Sequence, residues 1–214
     1  MPSRIVIVAG ATGLVGRELL SGLLADPSVA AVHSLGRRVP AEQHPKLTAH
    51  VVDFAALPDL PHADEVYLAL GTTIKVAGSQ AAFRAVDYDA NLAVATAALA
   101  AGAKRVGLVS AMGADSKSKV FYSRVKGELE DALAAMPFEG MVFARPSLLV
   151  GDREVLGQPT RQGEVLGSVL GKVAGFLIPA NYKPIDASAV ASALLSAVPS
   201  AQGRTVLLSG AMRR

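Results

Sequence analysis

The chain has 214 residues, 51% of them hydrophobic, with 21 basic and 18 acidic side chains and a formal net charge of +3. That length suits one α/β domain able to bury about 70% of its unfolded surface, and the balance of charge calls for no nucleic-acid partner. With no cysteine, disulfides and cysteine-bound metals are excluded and a reducing compartment is the simple fit.

The four histidines, His33, His44, His50 and His62, lack metal-ligand spacing, so no metal site is expected. The start, MPSRIVIVAG, has too short an apolar run for a signal peptide, and no uninterrupted apolar stretch reaches membrane-spanning length. A soluble cytoplasmic protein with no membrane association is therefore expected.

Ile5 to Ala9 is a continuous apolar run and reads as a buried strand. It ends at Gly10, and Gly10, Gly13 and Gly16 stand at three-residue spacing. Leu14, Val15, Leu19, Leu20, Leu23 and Leu24 then recur at helical spacing, so the period changes from strand to helix across the glycines. Glycines let backbone come close, and a helix N-terminus offers unpaired N–H groups and partial positive charge to an anion. Glycines also serve a plain packing turn. The strand before them and the helix after them favour a dinucleotide site.

Further strands are expected at Val29–Leu35, Leu47–Val52, Val66–Leu70, Arg105–Val109, Met141–Ala144 and Thr205–Leu208. Helices are expected at Gln80–Ala101, Phe121–Met136 and Asp186–Val198. Strands alternating with helices predict a single Rossmann-type domain over residues 1–214. Its sheet would be doubly wound and parallel, with strand order 3-2-1-4-5-6 and a further edge strand. Ligands in such sheets sit beyond the strand C-terminal ends, here Gly10, Arg37, Asp53, Gly71, Ser110 and Arg145. The irregular Gly- and Pro-rich stretch of residues 147–184 is too long for an ordinary connection and reads as a substrate-side or lid region. Within it, the apolar run Val165–Ile178 reads as core or lid packing rather than a membrane helix.

Arg37 and Arg38 follow the second strand, where an adenosine ribose would lie. Arginine there accommodates the 2′-phosphate of NADP, whereas an acidic residue would bond the 2′-hydroxyl of NAD. Asp53 is placed either to accept from the adenine amino group or simply to terminate a strand. Tyr122 and Lys126 lie four apart on one helix face. A free tyrosine titrates near 10, and a neighbouring ammonium favours its phenolate. The pair therefore suits proton transfer in a carbonyl–alcohol interconversion. Ser110, at the end of the preceding strand, is placed to hydrogen-bond the substrate oxygen.

Gly10-Ala-Thr-Gly13-Leu-Val-Gly16, Ser110 and Tyr122-Ser-Arg-Val-Lys126 together resemble the short-chain dehydrogenase/reductase superfamily, in its extended and atypical branches. Leu70-Gly-Thr-Thr73, Ser110-Ala-Met-Gly-Ala-Asp115, Val125-Lys-Gly-Glu128 and Ala144-Arg-Pro-Ser-Leu-Leu149 resemble more narrowly its Tat-interacting-protein-like members. The resemblance implies NADP(H) binding and a Ser110–Tyr122–Lys126 triad in which Tyr122 is the acid–base and Lys126 holds the nicotinamide ribose. It also implies that backbone near Arg145, Pro146 and Ser147 meets the nicotinamide. Thr12, Gly13, Leu14, Val15 and Gly16 at the glycine turn, Phe54 beside Asp53, and Leu70, Gly71 and Thr72 complete the expected cofactor contacts. Asp87 stands where extended members carry an asparagine.

Two functions follow. The first is an NADP(H)-dependent oxidoreductase acting by hydride transfer on a small carbonyl or alcohol. The alternative is an NADPH-binding regulatory or redox-sensing protein that binds a protein partner without turnover, with a homo-oligomer also compatible. A weaker third is a nucleotide-sugar or polyketide-type binding protein on the same fold.

Overall fold

Alternate residues of the first strand feed two separate cores. In β1 (Arg4–Ala9), Val6 and Val8 join one apolar cluster, and Ile7 and Ala9 join another. Successive side chains of a strand point to opposite faces, and burial of all four marks a strand covered on both sides. The computed structural model describes residues 3–150 and 179–213.

After β1 come α1 (Leu14–Ala25), β2 (Val29–Gly36), β3 (Leu47–Val51) and β4 (Glu65–Leu68). Two short helices follow, α2 (Ile74–Ala77) and α3 (Gln80–Arg84), then a π-helical turn over Ala85–Ala90 and α4 (Asn91–Ala100). The chain continues through β5 (Arg105–Val109), α5 (Phe121–Ala134), β6 (Gly140–Arg145) and β7 (Leu149–Val150). The last major elements are β8 (Ile185–Asp186), α6 (Ala187–Ala197) and β9 (Gly203–Leu208).

The large sheet has the order β3-β2-β1-β4-β5-β6-β9, and every neighbouring pair is parallel. This is the expected doubly wound order with β9 as the edge strand. On one face, α1 and α6 bury Leu19, Leu20, Leu23, Val190, Ala191 and Leu194. On the other, α4 and α5 bury Val94, Ala95, Ala98, Leu129 and Leu133. Each fully buried leucine contributes about 1.5–3 kcal/mol relative to exposure.

Two departures from the sequence reading stand out. β7 and β8 form a separate two-stranded ribbon, each strand too short to show a period. The helix expected over residues 80–101 is broken by the π-helical turn. There the buried Asn91 amide donates to the carbonyl oxygens of Val86 and Asp87, and also to Leu70 after β4. A side chain inserted into the helix ladder is a recognised cause of such a break. The apolar run Val165–Ile178, and most of the 147–184 stretch, lie outside the described residues. Among the described residues no helix is long and apolar enough to cross a membrane.

Candidate functional site

The site begins where β1 turns into α1. Gly10 has φ of +90°, a region open to glycine and strained for other residues. A Cβ on Gly10 would also lie 2.7 Å from the Ala69 carbonyl oxygen. The Gly13 N–H donates back to the Gly10 carbonyl at 3.0 Å, and Gly13 caps α1 with no side-chain bond. The first-turn N–H groups are thus left for an anion. Gly16 plays another part: its Cβ would stand 2.0 Å from the Gly10 carbonyl oxygen. Gly16 lets the start of α1 press against the turn after β1.

Two recesses run along the C-terminal edge of the sheet and share Gly13, Ala69, Leu70 and Gly71. The first, about 530 Å³, is lined by Gly10, Thr12, Arg37, Arg38, Asp53 and Phe54 among others. Arg37 and Arg38 are exposed, and among the described residues neither forms an ion pair. Asp53 also serves its turn, accepting the Ala55 N–H at 2.9 Å. The second recess, about 200 Å³, is lined by Leu14, Val15, Thr72, Ser110, Tyr122, Lys126, Pro146 and Ser147, and by Asp87. One groove therefore gathers nearly all the residues selected from the sequence.

At its chemical end, Tyr122 stacks at a tilt on the buried Phe83 of α3, with ring centroids 5.6 Å apart. Lys126, one turn further along α5, is buried, and its ammonium donates to Asp87 Oδ1 at 2.7 Å. The other carboxylate oxygen of Asp87 accepts the Thr72 N–H at 2.8 Å. Asp87 thus ties the loop after β4 to α5 through one buried ion pair. The sequence marked Asp87 only as a departure from an asparagine; its partner lies on another helix, beyond the reach of local spacing.

Ser110 lines the second recess, and its hydroxyl shares a carboxylate with the Arg145 guanidinium. The buried Ser110 hydroxyl donates to Glu130 Oε1. Arg145 turns its guanidinium to the same carboxylate, donating to Oε2 at 2.6 Å and to Oε1 at 3.0 Å. That bond to Glu130 raises the already high arginine pKa, so the charge is permanent. The Arg145 side chain faces a separate recess of about 560 Å³, with Asp131 and Arg204. Only its neighbours Pro146 and Ser147 line the groove. Glu130 was not selected from the sequence, although it continues the four-residue spacing of Tyr122 and Lys126.

Residues 10–139 match a family model described as NAD(P)H-binding. The chain belongs to that family. It is 38% identical over 178 residues to the mitochondrial fmp52 protein of Emericella nidulans, covering 78% of this chain and 76% of that protein. It is 35% identical over 192 residues to the mitochondrial FMP52 protein of Candida albicans, covering 86% and 82%. These relatives are named as mitochondrial, which overturns the cytoplasmic expectation drawn from cysteine count and the N-terminal run. Among solved structures, an oxidoreductase of the short chain dehydrogenase/reductase family from Burkholderia thailandensis aligns with a TM-score of 0.71 at 18% identity. That alignment covers 99% of this chain and 93% of the other. MoeE5 in complex with UDP-glucose and NAD aligns at 0.68 and 18% identity, covering 94% and 74%. These likenesses show a Rossmann-type fold, and the family model shows a nicotinamide dinucleotide as its ligand class.

Proposed function

We propose that the protein is an NADP(H)-dependent oxidoreductase that interconverts a small carbonyl compound and its alcohol. The observation that carries this reading is the placement of Tyr122 and Lys126 in a recess continuous with the dinucleotide groove. The residues fit the cofactor: Gly10 lets the end of β1 pass close against the backbone of Ala69 and Leu70 beside the groove, the uncapped start of α1 suits a pyrophosphate, and Arg37 and Arg38 suit a 2′-phosphate. When bound, NADPH supplies the hydride equivalent.

The chain's own groups handle the proton and the alignment. Tyr122 donates a proton to the substrate oxygen in reduction and withdraws it in oxidation. Lys126 keeps one N–H on Asp87, which would leave its remaining donors for the nicotinamide ribose. Leu149 and Val76 add apolar wall at the recess, which suits the body of a small carbonyl compound. The motifs quoted above support a narrower kinship with the Tat-interacting-protein-like members.

The test is steady-state turnover with NADPH and a panel of aldehydes and ketones. Tyr122→Phe should lower kcat by about 10²–10⁴ while NADPH affinity stays within a few-fold, because the ring is kept on Phe83. A Tyr122→Phe variant that turns over at the unmodified rate would sink the mechanism.

A further inference from the structure

We propose that Glu130 is a positioning residue for the Tyr122–Lys126 pair, clamping α5 to the ends of β5 and β6 through Ser110 and Arg145. The inference rests on the oxidoreductase reading above and adds a residue to it.

Tyr122, Lys126 and Glu130 fall at four-residue intervals along α5. At 1.5 Å per residue each step is about 6 Å, so the three form one stripe on one face. Each of the two charged members is buried and tied to a different part of the sheet edge. Lys126 holds Asp87, on the helix that follows β4. Glu130 receives Ser110 from the end of β5 and a two-pronged guanidinium from Arg145 at the end of β6. Between them, Gly127 lies so near the loop that a Cβ would stand 2.2 Å from the Asp115 carbonyl carbon and the Ser116 nitrogen. The same loop is tied back to the helix by the Asp115 N–H, which donates to the Ser123 carbonyl at 3.1 Å.

A buried ion pair is weak support for stability, since apolar side chains of similar volume often do as well. What a two-pronged arginine–carboxylate contact adds is direction. Here it fixes the rotation and rise of α5 one turn from Lys126 and two turns from Tyr122. Small errors at those two atoms are costly, because proton transfer needs contact within hydrogen-bond range. Ser110 then serves the helix that carries the acid–base and not the substrate itself.

The test separates position from stability. The full chain is prepared with Glu130→Leu combined with Arg145→Met, which fills the space with apolar groups, and separately with Arg145→Lys, which keeps the charge but gives up the fork. Three quantities are measured: thermal midpoint, NADPH dissociation constant by fluorescence, and kcat and KM with the best carbonyl substrate of the unmodified protein. The double variant should stay folded, its thermal midpoint lowered only by the stranded Ser110 hydroxyl, and should bind NADPH at least tenfold more weakly and lose at least tenfold in kcat. Arg145→Lys should lose at least threefold in kcat, with the carbonyl KM unchanged. If the double variant does not fold, Arg145→Lys decides on the same criterion. A folded variant with the NADPH affinity and kcat of the unmodified protein overturns the positioning role. Failure of the parent reading shows elsewhere, as absence of carbonyl turnover by the unmodified protein, and the NADPH titration still tests Glu130 in that case.

Discussion

Asp87→Ala is the most informative single change to the groove. It removes the only carboxylate within salt-bridge reach of the buried Lys126 ammonium among the described residues, and the acceptor of the Thr72 N–H. Breaking one side of a buried ion pair costs about 3–5 kcal/mol. The stranded amide would by itself cost about 1–3 kcal/mol, but water entering the space left by the carboxylate satisfies part of both groups. About 3–5 kcal/mol in total is therefore expected, out of a typical domain stability of about 5–15 kcal/mol. At roughly 2–4 °C per kcal/mol for a chain of this size, the thermal midpoint should fall by about 6–20 °C. Replacing both partners, as Asp87→Leu with Lys126→Met, should recover most of the loss, since no unpaired charge remains. Urea unfolding of the unmodified protein, Asp87→Leu, Lys126→Met and the variant carrying both closes the cycle. A coupling of about 2 kcal/mol or more is expected. An Asp87→Ala variant within about 1 kcal/mol of the unmodified protein would refute the assignment of a buried, charged pair.

Replacing Arg37 and Arg38 by Ala should remove most of the preference for NADPH over NADH. The loss is about 1.5–3 kcal/mol for each charged hydrogen bond given up; equal affinities for the two cofactors in the unmodified protein would rule the phosphate contact out. Ser110→Ala should lower the thermal midpoint and cost less than about tenfold in kcat, against the 10²–10³ typical of a lost oxyanion donor; a loss in that larger range would return Ser110 to the substrate. His33 has its pKa lowered, first by burial and then by the neighbouring His50 ring 3.1 Å away. Its folded pKa lies below its unfolded value, so its contribution is full above about 6.5 and is lost as pH falls toward the lowered value. The urea midpoint should drop between pH 7.5 and 5, and His33→Gln should flatten that drop.

Much of the fold could be read from residue order alone. The change of period across Gly10, Gly13 and Gly16 located β1 and α1, and the alternation of strands and helices gave the sheet order through β6. The end of β2 likewise pointed to Arg37 and Arg38. What escaped were pairings between distant residues. Ser110 stands at a strand end from which a side chain can turn to either face, and its choice depends on Glu130, 20 positions on. Asp87 meets Lys126 across two helices, 39 positions apart, and nothing local marks the π-helical turn that carries it. At the end of β6, Pro146 and Ser147 line the groove while the Arg145 guanidinium is held by Glu130, a partner 15 positions away that local sequence does not reveal.

The strand order has a consequence for how such a protein can change. The arginines at the end of β2 and the serine, tyrosine and lysine region beyond β5 are separated by β1 and β4. Three interstrand spacings of about 4.8 Å put some 14 Å between the two ends of the groove. Sites that far apart share no side-chain contact, and on the proposed reading only the dinucleotide itself links them. On the proposed reading, cofactor preference and reaction chemistry are carried by different residues. An engineer could exchange one dinucleotide for the other at Arg37 and Arg38, or reshape the pocket beside Tyr122, and expect each alteration to leave the other intact.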